Sequence, residues 1–201
     1  MFMKLSFILL LSAVLTLQSY VFNPRLFAQQ EEQKKTEEQI NEDDRFKEEV
    51  PEKLKYYKEK YEITFDAPFE VVFRAAKQSI GELNCMIMND SYNQTDEGLY
   101  KGRVKSDICV LVDNKDSTYD VLQLYSIDLP IIRGGVWANG GIQYNFVIKE
   151  QKDGKVNVTL KAEMDGFEEY VTYQRHYWES NGFLETMMLE RLQKNVEGSM
   201  K

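Results

Sequence analysis

His176 is the sole histidine of a 201-residue chain, and acidic residues crowd its sequence neighbourhood: Asp165, Glu168 and Glu169 precede it, while Tyr173 and Tyr177 flank it. An imidazole beside a carboxylate is the pairing that moves protons in general acid–base catalysis. No nucleophile has a defined place beside it in the sequence, so a hydrogen-bonded structural histidine is the plainer reading. One histidine and two cysteines cannot build a zinc site of the common Cys/His kinds, so no metal and no cofactor is expected. A Gly-rich phosphate loop and a G-x-S-x-G elbow are both missing.

Three other groups of residues have types that suit binding. Residues 130–141 hold two Gly-Gly pairs around Trp137, with Arg133 before them. They read either as a mobile loop at a cavity mouth, with Trp137 for an apolar contact and Arg133 for an anion, or as a wide turn whose glycines take positive φ angles. The turn is the simpler account. Met86, Met88, Met164, Met187 and Met188 either line one adaptable volume or fill gaps in a core. Tyr125, Tyr144, Tyr173, Tyr177 and Trp178 offer apolar bodies with polar tips. Cys85 and Cys109 fall across a hairpin centred near Glu97, which allows a disulfide in an oxidising compartment. Cysteines directly opposed on paired strands are strained, so the sequence favours two buried free thiols.

These groups need elements to position them. Alternation at residues 61–65 predicts a strand, and Asp66-Ala67-Pro68 then starts a helix, with Asp66 as the cap and proline in the first turn. Phe69, Phe73, Ala76, Ile80 and Leu83 form its apolar stripe. Strands follow at residues 84–89, at 98–112 with a bend at Gly102 or Ser106, and at 119–125, with a polar turn at 92–98. The strongest pattern is a hairpin. Ile142, Tyr144, Phe146 and Ile148 alternate with polar residues, as do Val156, Val158, Leu160, Ala162 and Met164, around the turn Gln151-Lys152-Asp153-Gly154. Pairing Ile148 with Val156 puts every apolar side chain on one face. Residues 165–178 have no assigned element. A last helix over residues 179–196 carries Leu184, Met188 and Leu192 at spacing four, with Phe183, Met187 and Leu189 beside them, and is expected to cover the dry face.

The chain opens with Lys4, an apolar run from Leu5 to Leu17, and Ala28 before an abruptly polar stretch. That is the pattern of a secretory signal segment over residues 1–28, and the run is shorter than the ~20 residues of a spanning helix. Residues 29–60 read as a charged linker, either a plain spacer or a docking arm for an envelope partner. Residues 61–201 are then one domain. The net charge is −8 and the chain is 12% aromatic and 43% hydrophobic, which supports a real core and argues against nucleic acid as the main partner.

The order strand, helix, antiparallel strands and long C-terminal helix resembles the START/Bet v 1-like (SRPBCC, helix-grip) superfamily over about residues 61–197. The resemblance is carried by Phe65-Asp66-Ala67-Pro68-Phe69-Glu70-Val71-Val72-Phe73 and by Trp178-Glu179-Ser180-Asn181-Gly182-Phe183-Leu184-Glu185. It implies an α+β fold in which a curved antiparallel β-sheet wraps around the C-terminal α-helix, with a cavity for an apolar guest between them. The expected function is a periplasmic or secreted module holding an apolar or amphipathic, lipid-like molecule. Trp137, Tyr144, Phe146, Val158, Leu160, Met164, Leu184 and Met188 are its expected lining. The alternatives are an envelope interaction module with a filled core and, last, a hydrolase or cyclase working around His176. The oligomeric state is not legible.

Overall fold

Aromatic and β-branched residues alternate at Tyr61–Phe65, and they form β1 in the computed structural model, which describes residues 52–201. The expected signal segment and most of the charged linker lie outside the described residues. A 3-10 turn, Glu52–Leu54, precedes β1. Helix α1 spans Phe69–Gly81 and buries Phe69, Phe73, Ala76 and Ile80 as its spacing predicts. Its N-terminus differs from expectation. Pro68, not Asp66, holds the cap position, and its carbonyl accepts from the Val71 and Val72 amides. Leu83 lies beyond the helix and is exposed.

The expected polar turn at 92–98 starts later: residues 92–94 are strand and the turn falls at 95–99. β2 runs Ile87–Gln94 and pairs with β3, Tyr100–Ser106, around a tight turn in which the Thr95 amide donates to the Leu99 carbonyl. The expected bend falls after Ser106, where β4, Cys109–Val112, begins. That break also corrects the free-thiol expectation, because Cys85 and Cys109 form a disulfide with Cα atoms 5.1 Å apart. Cys85 precedes β2 and Cys109 opens β4, so the two are not opposed in one ladder and the geometric objection does not arise. Closing a loop of 24 residues this way stabilises by about 3 kcal/mol.

Residues 119–125, expected as a strand, belong to helix α2, Lys115–Tyr125. The Asn114 side chain caps it by accepting from the Asp116 amide. Thr118 and Leu122, four apart, are its buried positions. Leu122 packs onto Gly140, where an added Cβ would lie 2.4 Å from a Leu122 methyl. Gly140 thus admits a helix against β5 and Gly141 the Cys109 carbonyl, and the pair makes no turn.

β5, Trp137–Glu150, and β6, Val156–Glu168, form the long hairpin. Its dry face is as expected but its register is shifted by two: Ile148 pairs with Val158, Phe146 with Leu160, Tyr144 with Ala162 and Ile142 with Met164. A shift of two preserves faces, and this register lets Glu150 pair with Val156 and close the turn. β6 continues past Met164, and β7, Gln174–Trp178, folds back on it. The sheet is seven-stranded, antiparallel and open, ordered β1-β6-β5-β3-β2, with β4 beside β5 and β7 beside β6. Helix α3, Phe183–Ser199, is C-terminal and packs on α1, β1 and β6. Met188, Leu192 and Val196 are buried, Leu184 is half-buried, and Met187 is exposed. The fold class is α+β.

Candidate functional site

The eight residues expected to line a guest cavity lie in or against the core. Tyr144, Phe146, Val158, Leu160, Met164 and Met188 are at most 2% exposed, Trp137 is buried, and Leu184 packs on the same cluster half-buried. A side chain bordering a void large enough for water carries accessible surface, and these six carry almost none. These six leave little room among themselves, while a pocket of about 260 Å³ is bordered by Leu160 and Ala162 of β6 and by Glu185 of α3. The methionines do not share one volume either. Met164 and Met188 are core, while Met86, Met88 and Met187 are exposed.

His176 does meet a carboxylate, through an intermediary. Glu168 ends β6 wholly buried, and its Oε1 accepts from the Val136 amide at 3.3 Å and the Val171 amide at 3.2 Å. Its Oε2 accepts from the Thr172 amide and hydroxyl, each at 2.6 Å. Thr172 Oγ1 lies 2.8 Å from His176 Nε2. Burial works to raise the pKa of Glu168, but the bonds from Thr172, Val171 and Val136 outweigh it and hold the carboxyl down at about 2. With its proton committed to Glu168, the Thr172 hydroxyl has only a lone pair for His176, so Nε2 is the protonated nitrogen. That arrangement does not activate Thr172 as a nucleophile. It pins two loops, 131–136 and 170–173, to the end of β6. Tyr170 and Tyr173 take φ angles of 82° and 52°, strain that these bonds offset. Trp137 sits behind, 5.6 Å edge-on from the His176 ring and 5.4 Å from Trp178, while Arg133 is exposed.

Sequence reasoning missed an open groove of about 670 Å³ where the 3-10 turn, the end of α2 and the start of α3 converge. Tyr56, Tyr125 and Phe183 form its wall. The Phe183 ring stands perpendicular to Tyr56 at 5.0 Å and is stacked with Tyr125 at 5.8 Å. Leu124 is 68% exposed beside them, and Asp120 and Gln123 give a polar rim. Asn181 holds the walls in place. Its side-chain amide donates to the Leu124 carbonyl, its backbone amide donates to Tyr125, and its Oδ1 accepts from the Phe183 amide. The groove joins residues near positions 56, 124 and 183, so no local pattern announces it.

In the first turn of α3, Glu185 is 4% exposed; the Ser180 hydroxyl donates to it, and burial raises its pKa. A carboxyl raised on folding favours the folded state more at low pH, and that favour fades as pH rises through its folded pKa. Glu185→Gln is therefore expected to gain stability over the wild type as pH rises from about 4 to 7, read by urea unfolding at each pH. Equal profiles would mean that the carboxyl is not strained by burial. Among the described residues no group of three or more His, Cys, Asp or Glu could hold a metal ion. No family model matches this chain, and no curated protein matches it.

Proposed function

We propose that the domain is an exported, helix-grip binding module for an amphipathic small molecule, seated in the groove of Tyr56, Leu124, Tyr125 and Phe183, with no covalent chemistry. One observation carries this reading. A large aliphatic side chain stands exposed over a ring-walled groove whose volume is in the ~300–1,000 Å³ range of ligand pockets. The rings supply an apolar bed, and Asp120, Gln123, Glu52 and Lys53 offer hydrogen bonds to a polar end. The signal-like opening of the chain supports export. The burial of the expected lining favours this groove over the sheet–helix interior as the seat of the guest. That burial equally suits a protein-interaction module with a filled core.

The test uses the full chain. Organic extracts of the purified protein are examined by mass spectrometry, and the neutral fluorophore N-phenylnaphthylamine is titrated as a probe. Wild type is expected to bind the probe with Kd on the order of micromolar, and Leu124→Glu at least about tenfold more weakly, with Tm within about 2 °C because the site is exposed. Equal binding by both proteins, or no binding together with clean extracts, overturns the reading.

A further inference from the structure

Among the described residues nothing covers the face of the sheet opposite the core, and its charge opposes that of the chain. Lys101, Arg103 and Lys105 occupy alternate positions of β3, so they project from one face. Lys149 stands directly opposite Lys101, and Asn145 lies between Lys105 on one side and Lys161 on the other. Lys101, Arg103, Lys149 and Lys161 are exposed and Lys105 is half-buried. Among the described residues none of the five has an ion-pair partner; the same face carries two acids, Glu62, already paired with Lys60, and Glu163, two positions from Lys161, so five cations outnumber them. Like charges directly opposed on paired strands destabilise a sheet. Folding alone therefore disfavours this array, and an anion laid across it relieves the repulsion.

We infer that this face docks an extended acidic segment of a partner protein, with carboxylates at alternate residues lying along Lys101, Arg103 and Lys105. Alternate side chains of an extended strand recur every ~6.8 Å, the same repeat that the three cations have on β3. Arg103, at the centre, can grip a carboxylate with two parallel bonds. Single-stranded nucleic acid fits poorly, because bases bind by stacking on aromatic rings and the flanking positions Asn89, Ser91, Asn93, Asn157 and Thr159 offer none. A dense polyanion or an anionic membrane also meets the field of a chain with net charge −8, whereas a short peptide carries few charges.

The experiment titrates the full chain with a labelled peptide of alternating Glu and Thr, by fluorescence anisotropy at low salt. Binding is expected to weaken at least about tenfold between roughly 0.05 and 0.3 M salt. It should weaken at least about tenfold again in the triple variant Lys101→Gln, Arg103→Gln, Lys105→Gln. Lys149→Gln, which removes one repelling partner and keeps the fold, should weaken it several-fold, and Lys194→Gln on α3 should leave it unchanged. No binding at low salt, equal loss in Lys194→Gln, or tighter capture of oligothymidylate or phosphatidylglycerol vesicles by the same residues overturns the inference.

Discussion

Gly182→Ala is expected to lower Tm by about 6–12 °C, corresponding to about 3 kcal/mol in a domain of this size, and to abolish probe binding in the groove. Gly182 precedes α3 with φ at 86°, which an L side chain adopts at a cost of roughly 1–2 kcal/mol. The strain is the smaller part. An added Cβ would lie 1.9 Å from Tyr61 Oη and 2.3 Å from the Tyr56 carbonyl oxygen. A tyrosine tip could swing away, but a backbone carbonyl moves only with its segment. Tyr61 Oη also accepts from the Lys58 amide and donates to the Tyr56 carbonyl, so displacing it opens the turn that carries Tyr56. Each such bond is worth about 1 kcal/mol, and Tyr56 is a wall of the groove. Gly154→Ala is the control. Its φ is 81°, but nothing lies within 4 Å of the added atom, so only the strain is felt. Calorimetry of the two variants separates strain from collision. Should Gly182→Ala unfold no earlier than Gly154→Ala, residues 56–61 are not clamped against α3, and the groove loses its rigid wall.

The parts of this molecule legible in its sequence are those written in a local period. The hairpin alternation gave the dry face of β5 and β6 directly, because burial repeats every two residues. The same period hid the register, since a shift of two residues leaves every side chain on its face. In α2 the aromatic and β-branched Tyr119, Val121 and Tyr125 favour a strand by residue type. The decisive signal was the Asn114 cap with Thr118 and Leu122 four apart. The core lining was largely legible as apolar positions, but whether it encloses space depends on how side chains from distant strands and helices fill it. The groove was illegible for a related reason: its three walls come from segments more than fifty residues apart. The link from Glu168 through Thr172 to His176 could have been noticed as residues four apart. That spacing means adjacency in a helix, and here a strained loop produces it instead.

That link sets the second large effect. Glu168→Gln is expected to lower Tm at pH 7 by on the order of 5–10 °C and to open loops 131–136 and 170–173 to chymotrypsin at Tyr170 and Tyr173. An amide has one oxygen to offer and must point an NH2 at donors, whereas the carboxylate accepts four bonds. Leaving buried donors unmatched loses more than the bonds themselves. The pH dependence identifies the charge as the cause. Glu168 has its pKa pushed down to about 2 from an ordinary value of 4.5, so its contribution is fully present above about pH 4.5 and is lost as pH falls towards 2. Wild type and Glu168→Gln should therefore differ most at neutral pH and converge in acid. Thr172→Val, which keeps the backbone donor and removes the hydroxyl, should fall between them. His176→Ala should cost less than either, because the imidazole only ends the chain of bonds. Parallel pH profiles for wild type and Glu168→Gln would show that packing, not the buried negative charge, holds these loops. A loss in His176→Ala equal to that in Glu168→Gln would move the anchor from the carboxylate to the ring.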